Sequence, residues 1–262
     1  MLARFDEICE KNGITYWLHA GTLLGCVRDK GFIEWDDDAD LSMSRASFDR
    51  IKSLRKDLEG EDIQFIFPED SDTFYDFIPG FYCDKYLVEQ KTEDFRESKQ
   101  PYLISPKIDL FVLDECKEGF RHKMTIVKLL SKYLLARGHR QIKVKLDLRV
   151  NTVLRPFLIL IAKTYEVMGS HMDYSNILKK YDIISRREND SGFQQLFISN
   201  DQPWSLSKIY SKSMYAETMK GQIGGKEFPI PAGFDRILTE IYGDYHTKVP
   251  EDQRKPAHYN VR

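Results

Sequence analysis

No stretch of this 262-residue chain strings together the roughly 18 apolar residues that crossing a bilayer requires. Its four cysteines (Cys9, Cys26, Cys83 and Cys116) are scattered, with no Cys-x-x-Cys pair. That spacing argues against a structural zinc site and suits reduced thiols in a cytoplasm. The six histidines, at 19, 122, 139, 171, 246 and 258, fall at no metal-ligand spacing. There is no internal repeat, no low-complexity tract and no Pro/Gly/Ser-rich linker. The opening MLARFDEICEKNG is charged and amphipathic, so it reads as a helix and not as a secretory leader. What remains is the composition of a globular protein, 42% hydrophobic and 31% charged, long enough to bury a large core. A cytoplasmic enzyme or binding protein is the expectation.

The net charge of −2 conceals an asymmetry. Residues 121–165 hold eleven Lys/Arg against the single acid Asp147, about +10, so the remainder carries about −12. Such a block reads either as a solvated basic face or as a surface for an anionic partner, a lipid-linked glycan or a membrane surface among them.

Apolar periodicity predicts a helix over 2–12, a strand over 14–18 (ITYWL) and a short helix capped by Thr22 that runs to about Arg28. A strand follows over 38–43, then a capped helix over 44–60, and strands at 63–67 and 107–114. Inside the basic block a helix is expected over 123–136, and QIKVKLDLRV alternates as a strand. The segment 155–168 is apolar nearly all round. It reads as a core helix before it reads as one lying on a membrane. A Pro-punctuated loop then feeds a last helix that stops near Gly243.

The chemistry is concentrated in GFIEWDDDADLSM, where four of residues 36–40 are aspartates. Side chains two apart on a strand share a face, so Asp38 and Asp40 project together. Their mutual repulsion is relieved by water on an open loop or by a hard divalent cation such as magnesium. A third carboxylate, Asp109, lies inside the apolar strand KIDLFVLD, where an unpaired charge is costly. It calls for a cation or for an ion pair with Lys107 or an arginine. Ahead of the cluster, AGTLLG places Gly21 and Thr22 at a strand-to-helix turn whose free N–H groups suit a phosphate. Phosphate turn, paired carboxylates and a third carboxylate on another strand together suit metal-dependent nucleotidyl or phosphoryl transfer.

The segment GTLLGCVRDKGFIEWDDDADLSMSRASFDRI (21–51) resembles the defining stretch of the LicD family of phosphotransferases, a branch of the nucleotidyltransferase-fold superfamily. FDEICEKNGITYWL, KIDLFVLD and IPAGFDRILTEIYGDYHTKVPEDQRKPAHY are similar to the family's leading helix and strand, its third-carboxylate strand and its C-terminal tail. The resemblance implies an α/β, nucleotidyltransferase-like mixed sheet flanked by helices, with a largely helical insertion and C-terminal part. It divides the chain into a catalytic core (1–115), a basic, mostly helical variable region (116–205) and a C-terminal part that completes the domain (206–262). It assigns Asp38, Asp40 and Asp109 to a Mg²⁺ (or Mn²⁺) site and to catalysis. Gly21, Thr22, Arg28 and Lys30 are assigned to the substrate phosphates.

The implied reaction moves phosphocholine from CDP-choline to a hydroxyl of a teichoic-acid or lipopolysaccharide precursor, releasing CMP. The alternatives are ribitol or glycerol phosphate from its CDP derivative, or nucleotidyl transfer from a nucleoside triphosphate. A cation-binding scaffold without turnover is a further reading, which the phosphate turn disfavours. No nucleic acid is expected as a partner. Two positions depart from the family pattern: Asp29, where histidine is usual, and Glu34, where proline is usual. Trp35 suits either a stacked base or cation, or packing. The aromatics of 65–86 read as packing before they read as a choline cage. Asp36 and Asp37 read as strand-entry or outer residues, and His19 as structural.

Overall fold

The computed structural model describes residues 1–36, 38–60, 63–70, 77–83, 88–90, 103–104, 107–139, 155–254 and 259–260. The chain opens with α1 (Leu2–Lys11), which buries Leu2, Phe5, Ile8 and Cys9 and is stopped by Gly13 at a positive φ of 62°. Of the expected strand 14–18 only β1 (Trp17–Leu18) pairs with a neighbour. Next come α2 (Ala20–Leu24), continued by a π-helical turn over Gly25–Asp29, then β2 (Ala39–Ser44) and α3 (Arg45–Leu58). Ser44 caps α3, its hydroxyl accepting the Ser47 N–H at 3.2 Å.

Strands β3 (Ile63–Ile66), β4 (Gly80–Cys83), β5 (Val88–Gln90) and β6 (Leu103–Ile104) lead to the long β7 (Lys107–Cys116). Helices α4 (Phe120–His139), α5 (Arg155–Gly169) and α6 (Tyr174–Ser185) follow. The chain returns through β8 (Gln195–Ile198), β9 (Tyr210–Ser211), the hairpin β10 (Thr218–Ile223) and β11 (Lys226–Pro231), α7 (Phe234–Tyr242) and β12 (Tyr259–Asn260).

The mixed sheet runs β1-β2-β7-β4-β3, with β8 and β9 added beside the far half of β7. Among the described strands only the β2–β7 pair is parallel, and it lies within the sheet. β7 is long because it serves two partners on one edge: β4 against Lys107–Asp109 and β8 against Leu113–Cys116. Buried Asn200 bridges the gap between those partners. Its side-chain oxygen accepts the Val112 N–H at 2.8 Å, while its amide donates to the Leu110 and Phe77 carbonyls. β8 comes from the segment expected to be a basic, mostly helical variable region, and it adds a strand to the main sheet. β5, β6 and β12 form a separate three-stranded sheet.

The main core lies between this sheet and α1, α2, α3 and α7, with Phe81 packed edge to face on both Phe5 and Phe65. A second core joins Phe77 and Cys116 to Leu129, Leu135, Ile177 and Tyr181 of α4 and α6. Arg45, first residue of α3, ties the two cores together. It forks onto the fully buried Asp114 and also reaches Asp182 and Ser199.

Several expectations need correction. α5 is not a core helix: only Ala162 and Gly169 are buried, and among the described elements the helix packs mainly on α4. Gly138 and Gly169 let the two backbones approach so closely that a Cβ on either would overlap the other helix's main chain. Arg137 does not belong to a basic surface, being 3% exposed, stacked on Tyr133 and facing Glu166 at 3.7 Å. The C-terminal part is less helical than expected, since it holds the β10–β11 hairpin. The strand expected over 141–150, together with Asp37, Phe74, Tyr75, Tyr86, Arg140 and His258, lies outside the described residues. The described aromatics Phe65, Phe67, Phe77 and Phe81 are packed in the core, as expected.

Candidate active site

In the parallel β2–β7 pair, Asp40 stands directly opposite Asp109, and residues in register point to the same side. Asp38 lies two residues before Asp40, at the mouth of β2. Carboxylate oxygens of Asp38, Asp40 and Asp109 all fall within 4.8 Å of one another. Ala39, Leu41 and Ile108, which alternate with them, are buried in the core, so the apolar half of each strand fixes where the acids go. The sheet thus brings together the three carboxylates expected from sequence.

The electrostatics follow from that crowding. Burial, and then the charges of Asp38, Asp109 and Asp36, push the Asp40 carboxyl well above the usual carboxylate range, and Lys107 pulls it back. Lys107 lies two residues before Asp109 on β7, and its ammonium is 2.6 Å from Asp109 Oδ1. Both readings of Asp109 are therefore realised at once, as a member of a carboxylate triad and as the partner of Lys107. Three hard oxygen donors converging on one point, with a net negative charge that burial makes costly, fit a divalent cation of the magnesium or manganese type.

The neighbouring turn is held against the triad by hydrogen bonds. His19 N–H donates to the Asp40 carbonyl, and Asp40 N–H donates to the Thr22 hydroxyl, both at 2.9 Å. Thr22 is not the helix cap. α2 starts at Ala20 with His19 as its N-cap, and the hydroxyl of Thr22 is turned to the strand because Asp40 N–H needs an acceptor there. Ala20 itself is held at φ 41°, a left-handed conformation that costs an L-residue about 1 kcal/mol. At Gly21 a Cβ would overlap Asp36 Oδ2, so the glycine admits the Asp36 carboxylate to the turn.

Arg28 and Lys30 are placed differently from each other. The Arg28 guanidinium forks onto Asp29, with Nη2 2.8 Å from Oδ2, and reaches the Tyr245 carbonyl at 3.5 Å. Lys248 adds a second cation to Asp29 at 3.0 Å. The unusual Asp29 is therefore charge-matched, and the Arg28 hydrogen bonds hold its carboxyl below the usual range. Lys30 is exposed and closes the π-helical turn at φ 55°. The guanidinium of Arg254 lies 5.0 Å from the centroid of Trp35, so this ring does receive a cation, supplied by the chain itself.

Three neighbours of the triad were not singled out from sequence. Tyr242, at the end of α7, lies within electrostatic reach of Asp36, Asp38 and Asp40; burial first, and then their charges, push its hydroxyl up. Asp201, pushed up to about 6 by burial, feels the charge of Asp109. Lys208 acts on Asp201 and also on His19, which burial drives down to about 3, leaving a neutral imidazole packed on Phe111. The only sequence signal for Tyr242 is its place in the Tyr-Gly-Asp of the tail.

A helical turn braced on the middle strand of a mixed sheet, facing acids from two parallel strands, is the arrangement of a nucleotidyltransferase-type domain. Residues 13–123 match the LicD/FKTN/FKRP nucleotidyltransferase domain. That match to the LicD family covers a little under half of the chain. The chain is 27% identical over 265 residues to the lipopolysaccharide cholinephosphotransferase LicD of Haemophilus influenzae, covering 98% of this chain and 92% of that one. Two uncharacterized proteins, of Rickettsia prowazekii and Rickettsia typhi, are each 51% identical over 37 residues, 14% of this chain and 14% and 12% of theirs.

Proposed function

We propose that this LicD-family transferase moves phosphocholine from CDP-choline to a hydroxyl of a lipopolysaccharide- or teichoic-acid-type glycan precursor, releasing CMP. The observation that carries the reading is the convergence of Asp38, Asp40 and Asp109 in a chain similar over nearly its whole length to a protein named lipopolysaccharide cholinephosphotransferase. In the reaction the acceptor oxygen attacks the choline-bearing phosphorus, the bond to the bridging oxygen breaks, and CMP leaves with the electron pair. The acceptor proton passes to a carboxylate of the triad, for which we assign Asp109.

Asp38, Asp40 and Asp109 would hold Mg²⁺, or Mn²⁺ in its place. When bound, the ion supplies charge neutralisation at the phosphate oxygens. Lys107, the ion-pair partner of Asp109, would supply a positive charge to the diphosphate. The Gly21–Thr22 turn, which holds Asp40 in place, is assigned here to the donor phosphates, together with exposed Lys30. An anionic, lipid-linked acceptor suits the basic α4–α5 region.

The test is CMP release with Mg²⁺ from CDP-choline, CDP-ribitol and CDP-glycerol, beside an Asp38→Ala/Asp40→Ala control. CMP from CDP-choline alone, absent in the control, supports the reading. Release from a CDP-alditol alone changes the head group. Silence with all three donors, together with tight nucleoside triphosphate binding, replaces it with nucleotidyl transfer.

A further inference from the structure

Helix α5 shows two different sides. Towards α4 it presents Ala162 and Gly169, both buried, and Glu166, whose backbone carbonyl lies where a side chain on Gly138 would be. Away from α4 it presents Phe157, Leu160, Ile161, Val167 and Met168, which are 62%, 62%, 36%, 64% and 52% exposed. Their spacing of 3, 1, 6 and 1 residues keeps all five on one face along the roughly 22 Å of a 15-residue helix. Hydroxyls along this face bond to the backbone of their own chain segment. Thr164, between Ile161 and Val167, donates its hydroxyl to the Leu160 carbonyl at 2.9 Å, and Ser170 donates to the Val167 carbonyl at 2.8 Å. Five of the fifteen large hydrophobic side chains exposed among the described residues lie on this one helix. Scattered apolar residues are ordinary on a protein surface, but a contiguous stripe is not.

The charge around the stripe says what it meets. α4 and α5 together carry seven Lys/Arg (Arg121, Lys123, Lys128, Lys132, Arg137, Arg155 and Lys163) against one acid, Glu166, and Arg137 faces that acid. Arg121 likewise faces an acid, Glu188, at 3.6 Å, so seven cations less two acids leave about +5 on the two helices that carry this apolar face. A second copy of the chain would bring the same positive field to the contact, which opposes self-association. An anionic lipid surface complements both features, since Lys/Arg meet the headgroups while the apolar stripe enters the boundary with the acyl chains. No helix among the described residues is long and apolar enough to cross a membrane, so the contact is one of lying on the surface. We propose that α5 is the element by which this protein docks on an anionic membrane, its Phe157–Met168 stripe buried at the lipid interface and the cations of α4 and α5 against the headgroups.

The experiment is co-sedimentation of the full chain, without donor or acceptor, with phosphatidylcholine vesicles that contain about 30% phosphatidylglycerol or none. Its outcome is thereby separable from that of the CMP assay. Binding is expected to the anionic vesicles, about tenfold weaker to neutral ones or at high salt, and about tenfold weaker or less for Leu160→Asp/Val167→Asp. An unchanged melting curve for that variant shows it folded. Arg155→Glu/Lys163→Glu, which leaves the apolar stripe intact, is expected to weaken anionic-vesicle binding alone. Absence of binding by the wild type, or equal binding by the Leu160/Val167 variant, overturns the proposal. So does a wild-type dimer in sedimentation velocity that this variant dissociates while vesicles bind neither form.

Discussion

The hydroxyl of Thr22 accepts the backbone N–H of Asp40 at 2.9 Å, so one side chain of the helical turn fixes the height of a carboxylate on the neighbouring strand. Thr22 is 1% exposed, and water does not replace that acceptor. Thr22→Val keeps the shape of the side chain and leaves a buried N–H without its acceptor, which costs about 1–3 kcal/mol. The expected outcome is a lower melting temperature and cation affinity about tenfold weaker, measured by Mg²⁺ or Mn²⁺ titration, with Thr22→Ser restoring both. A Thr22→Val protein that titrates like wild type would separate the turn from the triad.

Gly21 and Asp36 form a second coupled pair, because a Cβ at one position overlaps the carboxylate oxygen of the other. Gly21→Ala alone is expected to displace Asp36 and to lower CMP release at least tenfold. Adding Asp36→Ala removes the overlap, so the double variant should recover part of the loss. The readout is the coupling energy of the double-mutant cycle, expected at about 1–2 kcal/mol. Strict additivity would show that the glycine is needed for something other than making room for Asp36.

Lys107 stands 2.6 Å from Asp109 and competes with any other cation for that oxygen. In Lys107→Met the triad loses this internal counter-charge. The cation-free protein should become less stable, because the repulsion within the triad is no longer offset, while a divalent cation should bind several-fold more tightly. Donor KM should rise, since the diphosphate loses a positive partner. Weaker cation binding in this variant would mean that Lys107 organises the triad and does not compete for it.

The triad was legible because acids inserted into apolar strands stand out: Leu41, Met43, Leu110 and Val112 have to be buried, and period-two geometry then leaves Asp40 and Asp109 one place to go. The β10–β11 hairpin has a local signal too, Gly224-Gly225 with φ of 57° and 83° between two extended segments. The exposure of α5 was not legible, because an all-round apolar helix does not state how many neighbours cover it, and among the described elements it packs mainly on α4. Tyr242 and Asp201 reach the triad across sequence separations that no local pattern encodes.

Asp201 and His19 are expected to give stability opposite pH dependences over overlapping windows. Burial lifts the Asp201 carboxyl from 3.8 to about 6, so between those values the folded chain holds a proton that the unfolded chain has released. Stability therefore falls as pH rises through that window. Burial lowers His19 from 6.5 to about 3, so over that range the unfolded chain holds the extra proton, and stability rises with pH. The two slopes largely cancel in the wild type, and single variants expose them. Asp201→Asn removes the falling slope, and urea midpoints from pH 4 to 7 should then climb more steeply than in wild type, by at most about 3 kcal/mol over the window. His19→Gln removes the rising slope, and stability over the same interval should decline. If both variants track the wild type in parallel, the two groups titrate alike in the folded and unfolded chains, and the low-dielectric wall they form beside the triad is open to water.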